Sequence, residues 1–303
     1  MILITGHKNP DTDSYLSAIV TENMYKKLGK DVKAVAQGKP NKETKYVLDY
    51  LNLSELDVIL GDVDTKEIIL VDHNNPMESI DNLDDVKIVQ VIDHHALKLQ
   101  TSYPLNVRME SLGCTSSILF KMYRENGVEI DKKIATLMLS AIISDSLLFK
   151  SPTCTEKDIE IAEELEKIAE VNKEEYGLNM LKKGTDISDF TAKEIINLDR
   201  KNMMLKDVNA SIAQINTASI EDTMKRKEEF EEEIKKAIEE NNLDIFVLAI
   251  TDIINSNSQV LVFGDKKDIV EKAYGVKLED NTALLKGVVS RKKQIVPILT
   301  DNV

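Results

Sequence analysis

Cysteine is almost missing from this chain of 303 residues: Cys114 and Cys154 are the whole complement, both in apolar or Ser/Thr-rich surroundings. That excludes a disulfide framework and a zinc site built on thiolates, and it suits a reducing compartment. Also missing is any apolar run near the ~20 residues that cross a bilayer. The start, MILITGHKNP, has neither the basic region nor the long apolar core of a secretion signal. A cytoplasmic location without membrane attachment is expected. Positive charge is in deficit, with 39 Lys+Arg against 53 Asp+Glu and a net charge of −14. Such a surface repels a phosphate backbone along most of its length, which excludes extended nucleic-acid binding but not a small anion in one basic pocket. Histidine is scarce as well. All four histidines fall within the first 95 positions, next to or near aspartates.

What is present supports two domains. The 42% hydrophobic content over this length is ample for two cores of roughly 100 to 200 residues each. The first half alternates short apolar runs (MILITG, VKAVAQG, EIILVD, KIVQVID) with helical patterns (TDSYLSAIVTENMYKKLG, KETKYVLDYL). This predicts an α/β fold whose parallel sheet is covered by helices, with ligands beyond the C-terminal strand ends. His7, Asp72, Asp93, His94 and His95 all fall at that edge. From CTSSILFKMYRENG onward the pattern is helical, including DKKIATLMLSAIISDSLLF. The polar KKGTDISDFTAKE then separates a first domain, 1–183, from a second, 193–303, with a linker at 184–192. The second and smaller α/β domain has strands predicted at ASIAQIN, DIFVLAITDI, QVLVFG and SRKKQIVPIL. KKDIVEKAYG reads as a helix, and EDTMKRKEEFEEEIKKAIEENN as one long charged helix with a solvated face.

HKNPDTD places one imidazole and two carboxylates at a strand end that turns into a helix. In the plainest account Asn9 caps that helix, Pro10 takes its first position, and Asp11 and Asp13 complement its dipole. Capping, however, needs no His7. Asp72 emerges directly after IILV, and His94 and His95 after VQVID. Single histidines in such places are usually solvent-facing or satisfied in the core, but three Asp/His strand ends on one sheet edge point to a shared site. Asp145 lies on a helix apolar on nearly every side, where an unpaired carboxylate would cost several kcal/mol; it calls for a cation. Carboxylates mixed with imidazoles suit Mn²⁺, Fe²⁺, Co²⁺ or Zn²⁺ better than Ca²⁺. Five or six such ligands exceed the needs of one ion, which indicates two ions roughly 3.5 to 4 Å apart, bridged by a shared carboxylate. The expected chemistry is in-line hydrolysis of a phosphate ester or anhydride. Arg291, Lys292 and Lys293 in SRKKQIVPIL are either solvated surface or a phosphate clamp.

HKNPDTDS, VDHNN, VIDHH, SDSLLFKSPTCT, EEYGLNMLKKG and SRKKQIVPIL together resemble the family II (manganese-dependent) inorganic pyrophosphatases of the DHH phosphoesterase superfamily. The resemblance runs from His7 to Pro297. It implies a cytoplasmic homodimer that hydrolyses pyrophosphate to two orthophosphates by a bridging hydroxide, at a site in the cleft between an N-terminal DHH domain and the C-terminal domain. It also implies two Mn²⁺ ions, for which Co²⁺ can substitute, with further Mg²⁺ or Mn²⁺ arriving with substrate. One ion would take His7 and Asp11 and the other Asp13 and His94, with Asp72 shared and Asp145 completing the set. By the same resemblance His95 touches substrate, Arg291 and Lys292 grip phosphate, and Lys201 is a third cationic contact, although Arg200 stands beside it. Lys293 receives no role. The spacing from Asp72 to Asp145 leaves no room for the regulatory nucleotide-binding insert of some relatives.

The rivals are a short-chain exopolyphosphatase or an oligonucleotide phosphodiesterase of the same superfamily. The latter type carries a glycine-rich GGGH-like stretch, and this chain has no Gly-Gly pair. A non-catalytic metal- or phosphate-binding module is the alternative from another class. It would have no use for so many paired acidic ligands.

Overall fold

Short runs rich in Ile and Val become strands β1 (Ile2–Thr5), β2 (Val32–Val35), β3 (Glu67–Val71) and β4 (Lys87–Asp93), joined by an edge strand β5 (Asn106–Met109). Their order is β2-β1-β3-β4-β5 and every pairing is parallel. The order reverses between β1 and β3, and in an open parallel sheet that reversal leaves a crevice beyond the strand ends. The computed structural model describes residues 1–303 and divides into two compact units, Met1–Gly184 and Thr185–Val303.

In the first unit α1 (Thr12–Lys27) follows β1 and α2 (Lys42–Leu51) follows β2. After β5 the chain is helical, through α3 (Thr115–Glu125), α4 (Lys132–Ser146), α5 (Glu156–Ala169) and α6 (Lys173–Gly184). Helix α1 is buried on more than one face, because it packs against β1 and β2 as well as α3 and α4. Helix α4 does not continue through Phe149 as its apolar sequence predicts. It stops at Ser146, and Leu147, Leu148 and Phe149 are left-handed (φ 47°, 54° and 65°). Such a conformation costs about 1–2 kcal/mol per non-glycine residue. It is held by hydrogen bonds from Leu148 N to Ile143 O (2.9 Å) and from Phe149 N to Ser146 Oγ (3.0 Å). Gly177 makes room, since a Cβ there would lie 2.7 Å from Leu148 Cδ1.

The second unit is a mixed sheet of β6 (Arg200–Leu205), β7 (Val208–Thr217), β8 (Ile245–Asp252), β9 (Asn257–Phe263) and β10 (Thr282–Lys286), in the order β10-β9-β8-β7-β6. Only β7 and β8 pair in parallel. One face packs Ile212, Val247 and Val260 against α10 (Asp268–Tyr274) and α11 (Val296–Asp301). The other packs Phe246 and Leu248 against α7 (Ala192–Ile195) and α9 (Lys227–Asn241).

Two sequence expectations fail in this unit. The charged segment is two helices, α8 (Ile220–Met224) and α9, because Thr223 turns its hydroxyl back onto Thr217 and Ser219 and the chain closes a tight turn at Lys225 and Arg226. SRKKQIVPIL is not a strand. Arg291–Ile295 form a π-helical turn that runs into α11, with Ser290 capping it through Lys293 N. Pro297 then sits in the first turn of a helix, where no N–H is needed, whereas in a ladder it would remove a donor. Ile295 and Leu299, four residues apart, share the buried face. No helix is long and apolar enough to cross a membrane.

Candidate metal centre

The crevice at β1 and β3 is built by close approach. A Cβ on Gly6 would fall 2.0 Å from Ser14 Oγ and 2.6 Å from Ser14 O, so glycine is what lets α1 begin directly against the strand end. The N-cap of α1 is Asp11, not Asn9. Asp11 Oδ1 accepts Ser14 N–H at 3.0 Å, while Asn9 is left-handed at φ 51°. One Asp11 oxygen therefore caps the helix and the other faces His7 Nε2 at 3.6 Å.

The four histidines separate by what their ring nitrogens meet. His7 Nδ1 donates to Lys8 O (2.8 Å), His94 Nδ1 to Leu112 O (3.0 Å) and His95 Nδ1 to Asp93 Oδ1 (2.9 Å). In His7 and His94 the carbonyl oxygen at Nδ1 leaves Nε2 as the nitrogen turned to the cluster, which is how a metal-ligating imidazole is usually oriented. His73 is different. Its Nδ1 bonds Val71 O (2.9 Å), its Nε2 bonds Ser79 Oγ (3.1 Å), and burial pushes its pKa down to about 4. It is a satisfied, neutral core histidine.

Asp72 is the hub. Its backbone is left-handed (φ 58°) and its N–H is tied to Ile92 O (2.9 Å), which turns a buried carboxylate across the strand ends. Oδ2 lies 3.7 Å from His7 Nε2. Oδ1 lies 3.3 Å from His94 Nε2 and 3.8 Å from His95 Nδ1. His94 Nε2 is in turn 3.8 Å from Asp145 Oδ2. Donor atoms within 4.8 Å of one another define three groups: His7, Asp11 and Asp72; Asp72, His94 and His95; and Asp13, Cys114 and Asp145.

The electrostatics of these groups are set by burial and crowding of like charge. Burial, then the charges of Asp13 and Asp11, push the Asp72 carboxyl well above its ordinary range. Burial and the same neighbours, with Asp72, do so for Asp145. Burial works against protonation of His7, but the hydrogen bond and charge of Asp11 and the charge of Asp72 outweigh it, so His7 is pushed up to about 9. Four crowded carboxylates with the inward-facing Nε2 atoms of His7 and His94 are a donor set for divalent cations that accept nitrogen and oxygen, and the residues fit such ions.

Sequence reasoning missed the supports. Asp13 Oδ2 accepts Thr115 N–H (2.6 Å), and its Oδ1 accepts Ser116 N–H (3.2 Å) and Ser17 Oγ–H (2.7 Å). Thr115 Oγ1 donates to Asp72 Oδ1 (2.9 Å). Cys114 stands beside Asp13 and Asp145, where burial and then those two charges push its thiol up, so it remains protonated. Asp93 holds His95, and Asn74 Nδ2 holds Asp93 (2.6 Å). Two hollows open on the cluster. One of about 390 Å³ is lined by His7, Asp72, Asn75, His95 and Lys98, and one of about 470 Å³ by Asp11, His94, Gly113, Asp145 and Thr153.

The structure thus brings His7, Asp11, Asp13, Asp72, His94, His95 and Asp145 together in the first unit. Lys201, Arg291 and Lys292 belong to the second. On β6, Arg200 turns onto the Phe246 ring (5.2 Å) and Ser211 Oγ (2.7 Å), which strand alternation requires to be the face opposite to that of its exposed neighbour Lys201. Arg291 N donates to Gln214 Oε1 (2.7 Å), and its guanidinium is held by Asp199, through Oδ1 at 2.9 Å and the carbonyl oxygen. Lys292 is exposed.

The profile of the DHH family N-terminal domain matches residues 1–142, and that of the DHHA2 domain matches residues 178–302. A two-domain metal-site architecture of the DHH class is thereby defined. The chain is 52% identical over 302 residues to the manganese-dependent inorganic pyrophosphatase of Bacillus subtilis (strain 168), covering 99% of this chain and 98% of that one. A crystal structure of a Methanococcus jannaschii protein assigned to the family II inorganic pyrophosphatases superposes with a TM-score of 0.70 at 36% identity, covering 100% and 99% of the two chains. The chain belongs to the family II, manganese-dependent, inorganic pyrophosphatases of the DHH superfamily.

Proposed function

We propose that this chain hydrolyses inorganic pyrophosphate to two orthophosphates in a manganese-dependent reaction centred on Asp72. The observation that carries the proposal is the convergence on one buried carboxylate of His7 Nε2 and His94 Nε2, each freed by a carbonyl oxygen at its own Nδ1. His7 and Asp11 would hold one Mn²⁺, Asp13, His94 and Asp145 the other, and Asp72 both. Bound there, two such cations would supply Lewis acidity, making water more acidic and neutralising charge on phosphoryl oxygens.

The remaining work falls to the chain. The hydrogen bond that His95 Nδ1–H donates to Asp93 raises the His95 pKa and orients the ring, which would offer a donor to a phosphate oxygen. Arg291, Lys292 and Lys201 supply further positive charge for the two phosphoryl groups. Asp199 uses two of the five Arg291 donors, which leaves three for substrate. The resemblance also implies a homodimer, which sedimentation of the purified chain would test.

Orthophosphate release from pyrophosphate and tripolyphosphate, and mononucleotide release from a dinucleotide, measured in parallel with Mn²⁺ or Mg²⁺ returned to chelator-treated protein, test the assignment. Pyrophosphate cleavage restored by Mn²⁺ is expected. Preferential cleavage of tripolyphosphate or of the dinucleotide would replace it with one of the rival activities.

A further inference from the structure

Glu43 is a carboxylate within the first unit that no step above uses. It sits in the first turn of α2, which is capped by Asn41 and contributes no ligand to the cluster. Its Oε1 accepts two hydroxyls: Thr12 Oγ1–H at 2.8 Å, and Ser144 Oγ–H. Thr12 stands between Asp11 and Asp13 at the head of α1, and Ser144 directly precedes Asp145 at the tail of α4. Thr44, the next residue on α2, adds a hydrogen bond to Thr12 Oγ1 (3.1 Å). The other Glu43 oxygen lies close against Gly184, where an added Cβ would fall 2.8 Å from it.

This arrangement matters because α4 ends within one residue of Asp145. Beyond Ser146 the chain turns left-handed for three residues and cannot steady the carboxylate by further helical turns. Asp13 is fixed independently, by three hydrogen bonds. What sets Asp145 against Asp13 is the register between the last turn of α4 and the first turn of α1. The Glu43 oxygen is hydrogen-bonded to both.

We infer that Glu43 is a positioning residue for the metal centre: one carboxylate oxygen clamps the Thr12 and Ser144 hydroxyls, and so sets the spacing of Asp145 from Asp13. The inference rests on Asp13 and Asp145 being ligands. A carboxylate suits the task because it accepts from two hydroxyls without needing to donate. Glutamine can place its amide oxygen in the same spot, whereas alanine leaves both hydroxyls without their acceptor.

The test is Mn²⁺ binding to chelator-treated protein, read from the electron paramagnetic resonance signal of free Mn²⁺, below the melting temperature of every variant. Two tight ions are expected for wild type. In Glu43→Ala the ion held by Asp13, His94 and Asp145 is expected to weaken by about 10- to 100-fold, the usual effect of removing an outer support of a metal site. The ion held by His7 and Asp11 is expected to change less, and Glu43→Gln to restore most of the loss. Ser144→Ala is expected to add little on top of Glu43→Ala, because both remove the same contact. Wild-type affinity for both ions in Glu43→Ala would overturn the inference, as would fully additive losses for the two substitutions. A wild-type protein without tight Mn²⁺ would overturn the metal centre itself, an outcome distinguishable from the other two.

Discussion

Asp13 lies in the first turn of α1, yet its carboxylate receives the free N–H of Thr115, 102 positions later, at 2.6 Å. Cys114 occupies the N-cap of α3 without a capping side chain of its own, and Asp13 takes that office from another helix. The same carboxylate is a candidate ligand. Its hydrogen bonds to Thr115, Ser116 and Ser17 leave it oriented before any cation arrives.

Asp13→Asn is therefore expected to harm the protein twice. An amide NH₂ would face backbone N–H donors at the head of α3, leaving a buried donor unsatisfied at a cost of about 1–3 kcal/mol. Urea unfolding of the metal-free variant is expected to show that loss, and Mn²⁺ binding to fall as well. A metal-free variant as stable as wild type would mean that Asp13 does not cap α3.

Asp72→Asn is expected to separate the two effects in the opposite sense. The Asp72 carboxyl is raised by burial and by Asp13 and Asp11, so its ionised form strains the metal-free fold at neutral pH. Asparagine tolerates the left-handed backbone and can still accept from Thr115 Oγ1. Metal-free Asp72→Asn is expected to gain about 0.5–2 kcal/mol, a trade of stability against function. Mn²⁺ content and turnover are expected to drop. Two tightly held ions in a fully active variant would remove Asp72 from the shared position.

The pH dependence is expected to differ between metal-free and Mn²⁺-loaded protein. Without a bound cation, and despite its burial, His7 is pushed up to about 9 from an ordinary 6.5 by its pairing with Asp11 and Asp72. A raised folded pKa means that its stabilising pairing is complete below about 6.5 and is lost as pH rises through about 9. The raised Asp72 and Asp145 act in the same direction. Metal-free protein is thus expected to melt at lower temperature as pH goes from 6.5 to 9. Mn²⁺ must displace the His7 proton, so its affinity is expected to climb over that window, by about tenfold per pH unit for one proton released. Calorimetric titration in buffers of different ionisation enthalpy would count that proton. An affinity independent of pH between 6.5 and 9 would take His7 out of the ligand set.

The sheet edge that carries this site was readable because strand ends and histidines coincide in the sequence: His7, Asp72 and His94 each follow an apolar run. The division of labour among the histidines was not. DHN at His73 and DHH at His94 look alike, and they differ only in that Ser79 consumes the His73 Nε2 while His94 keeps its own free. Strands β5, β6 and β10 were missed because edge strands with polar, exposed positions lack a clean apolar alternation. IVPIL read as a strand because a short apolar run carries no period of its own. Only the packing of Ile295 and Leu299 on one face reveals the helix. The supports at Thr115, Ser116 and Glu43 depend on contacts across more than thirty residues, which no local pattern records.

Arg291→Lys tests the second unit. The Arg291 guanidinium is only 14% exposed and is held by Asp199. A solvated surface charge would need no such fixing, whereas a phosphate grip benefits from it, because a planar fork already aligned loses less freedom on binding. Lysine keeps the charge but not the fork, and its single ammonium cannot engage Asp199 and a phosphoryl group with the same geometry. The expected loss is one charge-assisted contact, about 1.5–3 kcal/mol, or roughly tenfold to over a hundredfold in kcat/KM. Mn²⁺ content and the melting temperature of the loaded protein are expected to stay at wild-type values, since all the proposed ligands lie in Met1–Gly184. Steady-state kinetics with pyrophosphate, beside metal analysis of the same sample, would check both halves. Wild-type kinetics would make Arg291 a surface residue, and lost Mn²⁺ would mean that it supports the metal centre instead of the substrate.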